Sequence, residues 1–256
     1  MKIQLLSDLH METEAFEPQP APGAELLVLA GDVDATWAGL DAFGGWPVPV
    51  LFVPGNHEYD RRELREARVQ LRQRCERLGF RMLDDEELLL QDAHQRRIRF
   101  IASTRWSDFD VFGTAQRERA MRAASYFQRV MAATLDGQPL DAAAVRELGL
   151  ANRAYLAQRL SDRSEPADAT VVITHFAPSL LSADPRYGRQ PGTASFCSND
   201  EDLLPLADLW LHGHLHCRHD YRFAHAGGET RVVCNARGHG RKGEALGHDP
   251  LLCVEA

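Results

Sequence analysis

The chain has 256 residues, 37 acidic and 29 basic, and a formal net charge of −8 with histidine neutral. That balance argues against a general nucleic-acid binder, which needs a basic patch to displace condensed counterions. A composition of 44% apolar, 26% charged and 8% aromatic residues is globular rather than disordered, collagenous or membrane-spanning.

Taken in chain order, short apolar runs at 2–6, 26–30, 50–53, 88–90, 98–102, 170–174, 209–212, 231–234 and 251–254 read as strands, and the stretches between them as helices or loops. This is the pattern of an α/β protein, and the length suits one domain over residues 1–256. Segment 12–25 holds Pro18, Pro20 and Pro22 and is expected to be a loop. Over 60–78, Leu64, Ala67, Leu71, Cys75 and Leu78 step by three and four, which predicts an amphipathic helix with a solvated Arg/Glu face.

From 114 to 160 no strand-like run occurs, and Asp136-Gly137-Gln138-Pro139 interrupts the pattern. Two helices are expected there, as a helical insertion at about 107–162. Their apolar stripe (Ala120, Met121, Ala123, Ala124, Tyr126, Phe127, Val130, Met131) suits either core packing or a cap over the site. A second long loop spans 177–199. Five cysteines without a C-x-x-C spacing predict free thiols rather than a disulfide framework or a thiolate zinc site. No apolar run reaches the ~18 residues of a membrane span, and no signal-type segment opens the chain, so a cytoplasmic protein without a membrane span is expected.

The chemistry lies at the ends of the apolar runs. Asp8-x-His10, Gly31-Asp32, Gly55-Asn56-His57-Glu58, Thr174-His175 and Gly213-His214-x-His216 each follow one. In open α/β sheets, ligands bind where loops from the carboxyl ends of separate strands converge. The donors are oxygen and imidazole nitrogen with no thiolate, a set suited to Mn, Fe, Zn, Co or Ni. They are too many for one ion, and two ions sharing a carboxylate fit the count.

These five blocks, in this order from Asp8 to His216, resemble the pattern D-x-H, G-D, G-N-H-[DE], a lone H and G-H-x-H of the calcineurin-like metallophosphoesterase superfamily. The resemblance implies the metallo-dependent phosphatase fold, a four-layer α/β/β/α sandwich of two facing mixed β-sheets. It implies that Asp8, His10, Asp32 and His216 hold one metal ion, that Asp32, Asn56, His175 and His214 hold the other, and that Asp32 bridges them. His57 resembles the family's histidine that contacts the phosphate and protonates the leaving group. Many members carry G-D-x-x-D, whose second Asp orients that histidine; here the corresponding residue is Ala35, and Asp34 stands one place early. Either Asp34 takes the part, or it faces elsewhere and another group orients His57.

Outside the pattern, Arg186, Tyr187, Asn199 and Arg237 are candidate substrate contacts, with Arg105 and Trp106 as further candidates against plain packing. His212 reads as packing or support for a ligand. His94, His219, His225, His239 and His248 read as surface residues, although Asn235-Ala236-Arg237-Gly238-His239 follows a strand and could bring Arg237 or His239 to the rim. The expected activity is hydrolysis of a phosphoester with two divalent ions, Mn first. A nucleotide or other small phosphodiester is the leading substrate. Alternatives are a phosphomonoester, including a protein phosphatase's, a lipid-linked diester, and, in another class, a non-catalytic scaffold on the same fold. The oligomeric state stays open.

Overall fold

The computed structural model describes residues 1–256 apart from the side chains of Tyr126 and Phe127, so these two members of the expected apolar stripe lie outside the described residues. The strands are β1 (Lys2–Leu6), β2 (Leu26–Leu29), β3 (Val50–Phe52), β4 (Phe80–Met82), β5 (Glu86–Gln91), β6 (Arg97–Ser103), β7 (Thr134–Leu135), β8 (Gln138–Pro139), β9 (Ala169–Thr174), β10 (Leu209–His212), β11 (Arg218–His225), β12 (Gly228–Asn235) and β13 (Cys253–Glu255). The α-helices are α1 (Leu64–Leu78), α2 (Arg117–Met131) and α3 (Ala142–Ser161). One sheet has the order β13-β1-β2-β3-β4, the other β11-β12-β10-β9-β6-β5, and β7 and β8 form a small hairpin. Both large sheets are mixed: β1, β2, β3 and β4 run parallel with β13 antiparallel, and β6, β9, β10 and β12 run parallel with β5 and β11 antiparallel.

Strand alternation builds the layers. Ile3, Leu5, Leu26, Val28, Leu51 and Val53 face Ile98, Phe100, Val171, Ile173, Leu209 and Leu211 in a core between the two sheets. The other face of the first sheet, Leu6, Leu27, Leu29, Val50 and Phe52, packs on Leu64, Ala67 and Leu71 of α1. The other face of the second sheet, Ile101, Val172, Trp210 and Val232, packs on Leu156 and Leu160 of α3. Burial on both faces is why these strands read as unbroken apolar runs. The result is the expected four-layer sandwich.

Besides the small hairpin β7–β8, two strands of the large sheets carry no such run. β4 is a three-residue edge, and β11 is an edge whose side chains alternate between half-buried and exposed, which places His219 and His225 on a strand rather than in a polar loop. The segment expected as an insertion divides in two: α3 supplies the outer layer over the second sheet, whereas Ala120, Ala124 and Met131 of α2 join the core beside Trp106, Phe109 and Phe176. The five cysteines are free thiols. No helix among the described residues is long and apolar enough to cross a membrane.

A buried ion-pair cluster fixes the loop after β6 to α3 and to the loop after β9. Arg105, fully buried, places every N–H: Nε on Asp200 at 2.8 Å, Nη2 on Asp108 and Asp200 at 2.8 Å each, and Nη1 on the carbonyls of Trp106 and Gly149 at 2.8 and 3.1 Å. Arg153 of α3 adds a 2.9 Å contact to Asp200. Arg105 is therefore spent on architecture and does not reach a substrate. Burial acts to raise the Asp108 carboxyl, but the Arg105 guanidinium outweighs it and holds the group below its usual range. Replacing Asp200 with Ala is expected to strand the guanidinium and cost about 3–5 kcal/mol, a fall in Tm of roughly 6–20 °C for a chain of this size. In the wild type, the Asp108 contribution is present at neutral pH and lost as pH falls below about 4, which thermal melts across acidic pH will check.

Candidate metal centre and active site

Five of the parallel strands direct the turns after their carboxyl ends to one place. Asp8 and His10 follow β1, Asp32 follows β2, Asn56 and His57 follow β3, His175 follows β9, and His214 and His216 follow β10. Five of these residues, Asp8, His10, Asp32, His214 and His216, have left-handed backbones with φ between 47° and 72°. Asp and His tolerate this region better than most residues, yet each such residue stores on the order of 1–3 kcal/mol that its surroundings must hold. The holding contacts are visible: Asp8 N–H donates to Gly31 O at 2.9 Å, His10 N–H to Asp32 O at 3.1 Å, and His214 N–H to Asp8 Oδ1 and Oδ2 at 3.0 and 2.9 Å. Gly31, with φ of 89°, admits the approach of His175, whose Nδ1 would lie 2.3 Å from any added Cβ.

The donor atoms gather in sets. Asp8, His10 and Asp32 place ligand atoms within 4.8 Å of one another, as do Asp32, His175 and His214. Asp32 belongs to both. Asn56 Oδ1 lies 3.2 Å from His175 Nε2, and His216 Nε2 lies 3.0 Å from His10 Nε2 and 3.6 Å from Asp8 Oδ1. Each imidazole spends one nitrogen on the protein: His10 Nδ1 on Glu12 at 3.1 Å, His216 Nδ1 on Glu244 at 2.7 Å, His175 Nδ1 on Ala30 O at 2.8 Å, and His214 Nε2 on Ser195 O at 3.0 Å. The other nitrogen is left for the centre, the arrangement that orients imidazoles toward a metal. Asp32 Oδ2 is buried without a hydrogen-bond partner among the described residues, although His175 Nε2 stands 3.1 Å away. An orphaned carboxylate oxygen between two sets of aimed nitrogen and oxygen donors fits a pair of divalent cations.

Electrostatics among these side chains follows from Asp32. Burial acts to raise its carboxyl, but His175, His57 and His10 together hold it well below the usual range. Burial acts against a charged His175 and His57, and Asp32 prevails in both, raising His175 to about 9 and His57, with Asp60 adding to the effect, to about 10. His214 is pushed well below its ordinary value by burial and by His175, so it stands neutral, the form in which imidazole binds a metal.

Two groups, Glu58 and Asp60, support the site in ways that the sequence does not announce. Glu58, fully buried, accepts the N–H groups of Asp32, Val33 and Gly55 at 2.9, 2.8 and 2.6 Å, joining the ligand turn after β2 to that after β3. Asp60 lies 2.9 Å from His57 Nδ1. Asp34 does not take that part: its carboxylate accepts from Thr36 N–H and Oγ at 2.6 Å each and from Gly39 N–H at 2.8 Å, closing a local turn. The short helical turn His57–Tyr59 brings residue 60 under residue 57, a signal that i, i+3 spacing carries.

A cavity of about 780 Å³ opens over the donors. Trp106, Phe109, Met131, Phe176 and Phe196 form much of its wall, His57 and His239 line it near the donors, and the cations Arg119 and Lys242 also reach it. Of the expected substrate contacts, Tyr187 and Trp106 line the cavity. Arg186 is engaged by Asp184 at 2.6 Å, Arg237 donates to Leu9 O at 3.0 Å and stands 3.4 Å from Glu14, and Asn199 is exposed outside the lining. His212 is buried, with Nε2 2.9 Å from Ser182 Oγ, a packing position.

The calcineurin-like phosphoesterase family model matches residues 1–218. The chain belongs to this family. It is a metal-dependent phosphoester hydrolase by that membership. Its fold is similar to that of the phosphopantetheinyl hydrolase from Mycobacterium tuberculosis, with a TM-score of 0.68 at 19% identity over 94% of this chain and 90% of that one. It is also similar to a putative 5'-nucleotidase from Staphylococcus aureus, with a TM-score of 0.56 at 16% identity over 93% of this chain and 49% of that one. No curated protein matches the sequence.

Because Glu58 satisfies three buried N–H groups at once, Glu58→Ala is expected to cost about 3 kcal/mol or more at roughly 1–3 kcal/mol per orphaned group. It is also expected to lower metal uptake by letting Asp32 shift. Urea unfolding and elemental analysis of the same preparation measure the two effects.

Proposed function

We propose that this phosphoesterase is a phosphodiesterase acting on a nucleotide or another small phosphodiester with two divalent ions, manganese first and iron, zinc, cobalt or nickel as alternatives. Asp8, His10, Asp32 and His216 would hold one ion, and Asp32, Asn56, His175 and His214 the other. The observation that carries the reading is the position of Asp32 in both donor sets, at the floor of a cavity of about 780 Å³ with a largely apolar wall. Such a pair of ions supplies Lewis acidity, offsetting phosphoryl charge and lowering the pKa of a bound water.

The chain's own residues complete the chemistry. Asp60 accepts from His57 Nδ1–H at 2.9 Å, which orients the ring and, with Asp32, favours its imidazolium form, so that Nε2–H can give its proton to a departing oxygen and leave the ring neutral. The cavity volume lies in the range of small-molecule sites, which favours a small substrate over a phosphoprotein surface. A diester has one negative charge and two substituents. An apolar wall can seat the second substituent, whereas a dianionic monoester would ask for more cations than Arg119 and Lys242 provide. The two similar proteins nominate probes for the panel: a phosphopantetheinyl diester and, as a monoester control, a 5'-nucleotide.

Protein prepared with Mn²⁺ is expected to approach two equivalents of metal by elemental analysis, and Asp32→Ala to lose uptake at both positions. In a hydrolysis panel, bis-p-nitrophenyl phosphate, dinucleotides and phosphopantetheinyl diesters should show higher kcat/KM than p-nitrophenyl phosphate; a monoester outpacing every diester would sink the diester reading. His57→Ala should keep its metal and lose about 10²- to 10⁴-fold on nucleoside or alkyl esters, with a smaller loss on p-nitrophenyl esters, whose phenolate departs readily. Asp60→Asn should show part of that loss, and the double variant should be no slower than His57→Ala. Equal losses on both ester types would remove the acid role.

A further inference from the structure

We infer that His239 is a third imidazole ligand of the first metal position, beside His10 and His216. The assignment rests on the two-ion reading above, but the family pattern does not supply it, because the matched segment ends at residue 218. His10, His216 and His239 place ring nitrogens within 4.8 Å of one another. The His239 ring centroid lies 4.4 Å from that of His10 and 5.1 Å from that of His216. In all three rings Nδ1 faces an oxygen: Glu12 for His10 at 3.1 Å, Glu244 for His216 at 2.7 Å, and Thr13 Oγ for His239 at 3.4 Å. Three Nε2 atoms are left, and those of His10 and His216 already stand 3.0 Å apart.

The loop after β12 is built to hold this position. It runs on beside the ligand turn of β1, with Arg237 N–H donating to Ser7 O at 3.1 Å and Gly238 N–H to Asp8 O at 2.9 Å. Glu14 then accepts the N–H groups of Gly240 and Arg241 at 3.0 and 2.9 Å. Glu244 Oε2 accepts from the His239 backbone N–H at 2.9 Å while it holds His216 Nδ1, so one carboxylate fixes the His216 ring and the backbone that carries His239. At Gly238, with φ of 67°, an added Cβ would meet His216 Cβ at 2.7 Å; the loop approaches the site as closely as its backbone allows.

With His239 the first position has three imidazoles and two carboxylates, Asp8 and Asp32. The second has two imidazoles, an amide oxygen and the shared carboxylate. The two are therefore unequal, and the imidazole-rich one favours iron, zinc, cobalt or nickel over a hard oxygen-loving ion.

The test is a Co²⁺ titration of the full chain, stripped with chelator, followed by calorimetry and by the visible cobalt spectrum. Wild type should take up two ions. His239→Ala and His239→Gln should bind one of the two about 10- to 100-fold more weakly, a loss of the size that ligand-shell changes cause. Their spectra should alter in one component only, and their ion-free melting should match wild type. Arg241→Ala, on the same loop but outside the cavity lining, should titrate as wild type. Two ions bound with wild-type affinity and an unaltered spectrum in both His239 variants would overturn the assignment alone. A wild-type chain that takes up no ion would overturn the two-ion reading and this assignment with it.

Discussion

The arrangement turns on one buried oxygen. Asp32 sits at the carboxyl end of a central strand, almost fully buried, with Oδ1 accepting from His57 N–H at 2.8 Å and Oδ2 without a hydrogen bond among the described residues. A buried carboxylate without compensation is costly enough that it must either gain a proton or find positive charge. The surrounding imidazoles prevent protonation by holding its acidity high, so the site is poised for cations. Asp8, with its two contacts to His214 N–H, and Glu58, with three N–H groups, show how the backbone is recruited to keep a high density of negative charge in place.

That density is reached by bending the chain. The candidate ligand residues after β1, β2 and β10 adopt left-handed conformations that a free peptide would avoid, and the sheets hold them there. Strands locked on both faces, with β1 packed between β2 and β13 and Ile3 and Leu5 against the opposite sheet, have no room to relax the turns that follow. Local strain at the site is thus balanced by burial in the sandwich, the usual division between a stable scaffold and a strained functional edge. The Arg105 cluster extends the same logic to the outer wall, tying the loop bearing Trp106 to α3 and to Asp200.

Two elements distinguish the surroundings of the centre. α2 brings apolar side chains to the cavity wall. The loop after β12 reaches the opposite side, where Glu14 and Glu244 fix its backbone. One element therefore lines the cavity with apolar groups and the other sets His239 beside His10 and His216, and the strand-end framework lies between them.

The inner strands were legible because both faces are buried: runs such as 170–174 and 209–212 became strands, while β11, an edge with alternating exposure, left no such mark. The ligand candidates were legible because each stands directly after its run, so chain order alone grouped Asp8, His10, Asp32, Asn56, His175, His214 and His216. Partner choice was not legible. Nothing in the residues near Arg105 announces Asp200, 95 positions away, and nothing near Arg186 says that Asp184 engages it. Asp60 rather than Asp34 meets His57 because a helical turn and a local Asx-type turn send the two carboxylates in different directions. His239 joined the centre because β12 pairs parallel with β10 and its exit crosses the turn after β1. Periodicity and order are properties of one segment and survive in the sequence; which side chain faces which is set by the approach of segments far apart in the chain, and only the folded structure decides it.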